Sequence, residues 1–152
     1  MSGPFRVRAG DVGDAAVLAQ LHAAAFPDAW PEAAFFSLLT HPGVFVLLGA
    51  RAAAPSEEGF VLIRVVAGEG EVLTFCVADG ARRGGLGHAL LEAACEVARS
   101  RDCALMFLEV SESNLGARAL YQKSGFVEVG RRGAYYRQGS LSADALVMRK
   151  QF

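Results

Sequence analysis

Three glycines and two arginines lie together near the middle of the chain, in the segment Arg82-Arg83-Gly84-Gly85-Leu86-Gly87. Glycines leave backbone N–H groups unobstructed, and the apolar repeat at Leu86, Leu90 and Val97 predicts that a helix begins here. A helix start presents unpaired N–H groups and the positive end of the helix dipole, and together these bind anions. The segment therefore predicts a loop that binds phosphate or pyrophosphate, with a tight turn that binds no ligand as the alternative.

Two common phosphate loops are excluded by the residues that follow. A Walker A loop has Gly-Lys before Ser or Thr, whereas Gly87 precedes His88 and Ala89. A dinucleotide fingerprint would have a glycine at the position of Leu90. The pattern that remains is Arg82-x-x-Gly85-x-Gly87.

A carboxylate, Glu109, interrupts the apolar run of residues 104–110. Burying a carboxylate without a partner is costly, so either the strand reaches the surface at this point or the acid is functional. We take Glu109 as a candidate general base, acting directly or through water, with a carboxylate paired to an arginine as the alternative.

The element order predicts how these residues are positioned. Strands are predicted at 5–8, 44–48, 60–63, 72–77, 104–110, 126–130 and 145–148, helices at 11–26, 31–39, 86–100 and 113–125, and a loop at 131–142. Short turns between the second, third and fourth strands predict an antiparallel meander, and the next strand, loop, helix and strand predict a parallel βαβ crossover. The fold class is therefore α/β (α+β), with a mixed, mostly antiparallel sheet.

Composition limits the remaining alternatives. The chain has 152 residues, 53% hydrophobic and 20% charged, with no internal repeat, which predicts one well-packed domain over residues 1–152. The net charge of −1 gives no general attraction to nucleic acid or to an anionic membrane. The N-terminus lacks the apolar core of a signal peptide, so we expect a cytoplasmic protein without a membrane partner.

Metal and thiol chemistry have little support in the sequence. Cys76, Cys95 and Cys103 form no CxxC pair and are predicted to be buried thiols. His22 and His41 have no partners at ligand spacing, so surface or capping roles are expected and no metal is predicted.

A second motif follows the glycine-rich loop: Asn114-x-x-Ala117-x-x-Leu120-Tyr121-x-x-x-Gly125-Phe126. The two motifs and the element order together resemble the GNAT acyltransferases over essentially the whole chain. The resemblance implies the GNAT fold, with six to seven strands and about four helices, and acetyl-CoA as co-substrate.

The same resemblance implies roles for individual residues. Amides from Arg83 to Gly87, with Arg82 beside them, would hold the pyrophosphate, and backbone groups of Phe75 and Val77 would pair with the pantetheine arm. The Val77 amide would also polarise the thioester carbonyl. Asn114 would contact the arm or only cap its helix, and Tyr121 would protonate the leaving thiolate or only pack in the core.

Three further segments resemble one subgroup, the ribosomal-protein-alanine N-acetyltransferases. These segments are Phe26-Pro27 with Trp30, Leu108-Glu109-Val110 with Ser113-Asn114, and Tyr135-Tyr136. The subgroup implies that the acceptor is the α-amine of a protein N-terminus, such as that of a ribosomal protein. Trp30, Tyr135 and Tyr136 would line its cleft, with a hydrophobic staple between the helices as the alternative for Trp30 and a cover for the sheet edge as the alternative for the two tyrosines. The chain departs from the subgroup where Asp28-Ala29 separate Pro27 from Trp30 and where Asp79 replaces a proline.

Two other functions stay open from the sequence. An acetyltransferase of a small amine, such as a polyamine, an amino acid or an aminoglycoside, would favour an acidic cleft, but the segments expected around it contain only Asp28 and Glu32 as acids. A non-catalytic acyl-CoA-binding module would need neither Glu109 nor Tyr121. Both observations favour an enzyme that acts on a peptide.

Overall fold

The computed structural model describes residues 3–138 and 141–152, and of residues 134–138, 141 and 142 it describes only the backbone. The described elements are seven strands and four α-helices, with two short 3-10 turns. In chain order they are β1 (Phe5–Ala9), α1 (Ala15–Ala25), α2 (Glu32–Leu39), β2 (Val44–Arg51), β3 (Gly59–Val66), β4 (Glu69–Val77), α3 (Leu86–Ser100), β5 (Leu105–Ser111), α4 (Leu115–Lys123), β6 (Val127–Gln138) and β7 (Leu141–Gln151).

Local sequence signals explain where the helices begin and end. Asp11 and Asp14 form a capping box around the 3-10 turn that leads into α1. Asn114 caps α4 by accepting a hydrogen bond from the Ala117 N–H at 3.1 Å. Gly125 follows the end of α4 with φ of +95°, a conformation that favours glycine. These boundaries agree with the sequence prediction.

The seven strands form one mixed sheet in the order β1-β2-β3-β4-β5-β7-β6. Only β4 and β5 are parallel among the paired described strands, and α3 connects them, as predicted for the βαβ crossover. Helices α3 and α4 cover one face with a core that includes Leu86, Leu90 and Tyr121. Helices α1 and α2 cover the other face over β2 to β4, where Leu18 and Phe35 are buried.

The pairing of β4 with β5 ends early. Only Glu69, Gly70 and Glu71 have partners on β5, although β4 continues to Val77 and β5 to Ser111. The register between β3 and β4 also shifts by one residue here, because Leu62 lies opposite Thr74 and Ile63 opposite Val72. Such a bulge bends a strand, and here it coincides with the point where β4 leaves β5.

One prediction of the sequence is wrong at residues 131–142. The segment predicted as a loop forms the second half of β6 and the start of β7, which pair antiparallel with an irregularity between Arg132 and Tyr136. Because β6 is the last strand of the sheet, Arg131 to Gly133 are exposed, and their polarity resembles that of a loop. Residues 139 and 140 of the predicted loop lie outside the described residues.

None of the described helices has both the length and the apolar character needed to cross a membrane.

Candidate active site

A cavity of about 620 Å³ lies where β4 separates from β5, bounded by the start of α3 and by α4. Eight residues predicted to bind the cofactor line it: Phe75, Val77, Arg82, Arg83, Gly85, Gly87, Asn114 and Tyr121. Its volume lies within the range typical of small-molecule and cofactor sites. The structure therefore brings the two sequence motifs, which are some thirty residues apart, to one cavity.

The glycine-rich loop presents backbone N–H groups to this cavity. Gly85 is the N-cap of α3, with φ of +97° and no side chain that caps the helix. The first helical bond runs from the Ala89 N–H to the Gly85 carbonyl, so Leu86, Gly87 and His88 have no acceptor within the helix. Arg83 is a non-glycine residue at φ of +65°, a conformation that costs free energy and clusters at functional sites.

Two residues of the predicted loop contribute differently from the rest. The Leu86 side chain is fully buried in the core beneath α3, so only its backbone could face a ligand. Gly84 is exposed, but it is absent from the residues that line the cavity.

The cavity carries positive charge. Arg82, Arg83 and Lys123 line it together with His88, and none of the described lining residues is a carboxylate. At the rim, the Arg82 guanidinium pairs with Asp79 at 2.8 Å. This charge suits a polyanionic ligand. His88 and Lys123 were not predicted from the sequence, and only their places in the first turn of α3 and the last turn of α4 could have indicated them.

The backbone of β4 faces the cavity at alternate residues. The Ala78 N–H donates to Glu58 beyond the end of β3, so by alternation Phe75 and Val77 direct their N–H and C=O groups away from β3, towards the gap. The Val77 carbonyl accepts a hydrogen bond from Arg82 Nε at 2.9 Å. The Val77 N–H lies on the same side of the strand.

Tyr121 lies at the inner wall of the cavity. Its side chain is buried, with ring centroids 6.2 Å from Phe75 and 5.8 Å from Phe126. The residue therefore packs in the core and lines the cavity at once. Asn114 likewise both lines the cavity and caps α4 through Oδ1, so the capping role predicted for it is observed.

Glu109 lies on the stretch of β5 that continues past the end of its pairing with β4. Its neighbours Leu108 and Val110 point into the α3 core, so alternation places Glu109 on the opposite face of the sheet. Glu109 Oε1 pairs with Arg132 of β6 at 2.9 Å, and the Glu109 side chain is 31% exposed. The alternative given for this residue, a carboxylate paired to an arginine, describes the observed contact.

A family model described as Acetyltransferase (GNAT) family matches residues 16–126. The chain belongs to this GNAT acetyltransferase family. The match confirms the predicted fold, as well as acetyl-CoA as the acyl donor that this family uses.

Individual relatives are also similar along the chain. The [ribosomal protein bS18]-alanine N-acetyltransferase of Escherichia coli strain K12 is 37% identical over 89 residues, which are 59% of this chain and 60% of that protein. The N-alpha-acetyltransferase RimI of Mycobacterium tuberculosis is 35% identical over 153 residues, 97% of this chain and 92% of that protein. The crystal structure of the ribosomal-protein-S18-alanine N-acetyltransferase from Escherichia coli aligns with a TM-score of 0.87 and 26% identity, covering 97% of this chain and 93% of that one.

In this GNAT protein, the residues predicted to bind the acceptor are less closely grouped than those predicted to bind the cofactor. Trp30 lies half-buried against His22 and Phe35, outside the set of residues that line the cavity. Tyr135 and Tyr136 belong to β6, and their side chains lie outside the described part of the structure. Their roles in acceptor binding stay predictions.

The prediction of a surface or capping role for His22 is wrong. Its side chain is 3% exposed and lies between α1 and β4, where burial lowers its pKa. The spacing of four residues from buried Leu18 could have indicated this, because residues i and i+4 share a helix face. Among the described residues, no group of His, Cys, Asp and Glu could hold a metal ion.

Proposed function

We propose that this protein acetylates the N-terminal α-amine of a protein, such as a ribosomal protein beginning with alanine. The observation that carries the proposal is the 35% identity, along 97% of the chain, to a protein named as an N-alpha-acetyltransferase. The Escherichia coli relatives named as acting on alanine of a ribosomal protein support the same class of acceptor. The acceptor would enter from the face of the sheet that carries Glu109.

The cavity would hold acetyl-CoA in an extended form. Its pyrophosphate would meet the N–H groups at the start of α3, with Arg82, Arg83 and Lys123 nearby. Its pantetheine arm would pair with Phe75 and Val77 of β4, in the gap where β5 no longer pairs. The thioester carbonyl would then lie against the Val77 N–H, which stabilises the negative charge that develops on its oxygen.

Starting from the protonated amine, transfer removes two protons from the nitrogen and adds one to the thiolate, so that one proton is released to solvent. An α-amine has a pKa near 8 and is largely protonated at neutral pH, so Glu109 accepts its proton, directly or through water. The neutral nitrogen attacks the thioester carbon, and the C–S bond breaks with its electron pair on sulfur. The nitrogen of the new amide then loses its second proton to water, while Tyr121 donates a proton to the departing sulfur and regains one from solvent. Because Glu109 pairs with Arg132, the ammonium group of the acceptor takes the place of the guanidinium when it binds.

Direct transfer through a ternary complex is favoured over an acyl-enzyme. Cys76 is the one thiol among the described residues that line the cavity, and burial raises its pKa to about 12. A cysteine acts as a nucleophile in its thiolate form, which is scarce at that pKa. When initial rates are measured with both substrates varied, double-reciprocal plots should therefore give intersecting rather than parallel lines.

The experiment compares three acceptors by the release of thiol from acetyl-CoA. One is a peptide beginning with alanine, the second is the same peptide with a blocked N-terminus, and the third is a polyamine. Release with the unblocked peptide alone supports the proposal. Thiol release with the polyamine alone would overturn the proposal in favour of a small-amine acetyltransferase. No thiol release with any of the three acceptors, while acetyl-CoA still binds, would favour a non-catalytic acyl-CoA-binding module.

A further inference from the structure

His22 makes two polar contacts in a buried position near the end of α1. The Trp30 backbone N–H donates to His22 Nδ1 at 3.0 Å, and His22 Nε2 lies 3.1 Å from Thr74 Oγ1. Because Nδ1 accepts, the proton of the neutral ring is on Nε2, which therefore donates to the Thr74 hydroxyl. One imidazole thus joins the turn between α1 and α2 to strand β4.

Aromatic rings surround this imidazole. Its centroid lies 4.4 Å from that of Phe26, 5.1 Å from Trp30, 5.4 Å from Phe35 and 6.4 Å from Phe60. Phe26 also lines the cofactor cavity. A buried histidine in an apolar cluster is costly unless its nitrogens are bonded, so both contacts matter to the fold of the turn.

The contact of His22 with Thr74 lies close to the point where β4 leaves β5. Thr74 lies beside the bulge where β4 leaves β5, directly before Phe75, whose backbone faces the gap. Phe26 and Trp30 flank the turn on the other side of the imidazole. A shift of the turn relative to β4 would therefore change the distance between the acceptor side and the cofactor side of the site.

We propose that His22 is a positioning residue for the acceptor, because its imidazole fixes the α1–α2 turn, with Trp30, to the strand that carries the acetyl-CoA arm. This inference rests on the proposed function. His22 itself touches neither substrate, and it acts through Trp30, Phe26 and Thr74.

The geometry also makes the link sensitive to acid. A protonated ring carries N–H groups at both nitrogens, so Nδ1 can no longer accept from Trp30. Burial lowers the pKa of His22 from its ordinary 6.5, and no charged group contributes to that shift. The side chains against it from α2, β3 and β4 are Phe35, Phe60 and Thr74, all uncharged.

The ionisable groups of the same region do not shift the pKa of His22. Asp28 in the turn and Glu32 at the start of α2 are absent from the causes of the His22 shift. Cys76 on β4 belongs to the same core, and with its pKa near 12 it stays neutral. The turn should therefore loosen as the pH falls below 6.5.

Three variants separate the two contacts. In His22→Asn the amide oxygen can replace Nδ1 as the acceptor for Trp30, whereas in His22→Gln the amide nitrogen can replace Nε2 at Thr74 but the turn loses its acceptor. His41→Gln is the matched control, because His41 is exposed and bonds only locally, to the Gly43 N–H, among its described hydrogen bonds. We expect His22→Gln and His22→Asn each to raise the peptide KM about tenfold, because each breaks one end of the link between the turn and β4, with kcat and the acetyl-CoA Kd changed less than about twofold, while the control stays near wild type.

A second readout does not depend on enzymatic activity. Trp30 is the single tryptophan of the chain, so its fluorescence reports the turn directly. We expect a transition with a midpoint below 6.5 in the wild type and none in His22→Asn. A wild-type spectrum that stays constant down to the pH at which the protein unfolds, or a peptide KM that is equal in His22→Gln and wild type, would overturn the proposal. If no peptide is acetylated at all, the proposed function fails, and the fluorescence transition still decides whether His22 holds the turn.

Discussion

At the level of single residues, Glu109 is where the sequence and the structure differ most informatively. The sequence singles it out because it is a carboxylate within an apolar run. The structure instead places it on the open face of the sheet and pairs it with Arg132. This position suits an acid that exchanges one cation for another, since an incoming ammonium group can replace the guanidinium.

Replacing Glu109 with glutamine should lower kcat about 100-fold, because the amide cannot accept the proton of the amine. The pH dependence of turnover should also change, while acetyl-CoA binding, measured by titration calorimetry, stays the same. Glu112→Gln is the matched control, because Glu112 is a nearby carboxylate that also pairs with an arginine, Arg131, at 2.8 Å. Equal turnover in Glu109→Gln and the control would remove Glu109 from the mechanism.

Tyr121→Phe should slow the chemical step in single-turnover experiments by at least about tenfold, because the phenol that protonates the sulfur is lost. The ring contacts with Phe75 and Phe126 should persist, so the melting temperature should change little. A rate equal to that of wild type at saturating substrates would limit Tyr121 to packing.

At the level of elements, the start of α3 combines two requirements that one substitution can separate. Gly87 is the second residue of α3, where alanine is favoured over glycine by up to about 1 kcal/mol, the value for a helix interior. A Cβ at this position would lie 3.3 Å from Leu120 Cδ2 and 3.6 Å from Phe75 Cζ, at the wall of the cavity. Alanine at this position would therefore stabilise the helix, whereas glycine leaves room for the cofactor.

Gly87→Ala should accordingly maintain or raise the free energy of unfolding and weaken acetyl-CoA binding about tenfold or more. Urea denaturation and titration calorimetry measure the two effects separately. Gly80→Ala serves as the control, because a Cβ there meets open space and Gly80 is outside the cavity lining. Undiminished acetyl-CoA affinity in Gly87→Ala would contradict the position proposed for the pyrophosphate.

The capping box before α1 predicts a dependence of stability on pH. Hydrogen bonds from Arg8 lower the pKa of Asp14 below its ordinary 3.8, and a backbone hydrogen bond from Asp11 acts in the same direction. A lowered pKa contributes stability above pH 3.8 that is lost as the pH falls through the pKa of the folded state. Asp14→Asn should therefore have a lower free energy of unfolding than wild type at pH 7, and the difference between the two proteins should be smaller at pH 3. Urea denaturation at both pH values measures this difference. An equal difference at pH 7 and pH 3 would contradict the linkage.

The elements also show what a sequence can predict and what it cannot. Local signals were sufficient for the cap at Asn114, the glycine at 125 and the helix start at Gly85, because each depends on neighbouring residues. The bulge beside Leu73 and the end of the β4–β5 pairing depend on contacts between distant segments. For the same reason, the sequence indicated an arginine pair as an alternative for Glu109 without identifying its partner on β6, and the burial of His22 was not predicted.

At the level of the whole molecule, the sheet is divided between two tasks. Strand β4 presents its backbone to a positively charged cavity on the side of α3 and α4, where acetyl-CoA is proposed to bind. The opposite face carries α1, α2 and Glu109, where the acceptor is proposed to enter. The gap between β4 and β5 connects the two faces, so the reacting atoms would meet within the sheet rather than on its surface.

The most direct test of this account is to locate the acetyl group on the product. A peptide that begins with alanine and contains an internal lysine is incubated with acetyl-CoA and the protein, and the product is fragmented by tandem mass spectrometry. We predict acetylation of the α-amine of alanine, with the lysine side chain unmodified. Acetylation of the lysine alone, or an unmodified peptide in the presence of a protein that binds acetyl-CoA, would contradict the central claim.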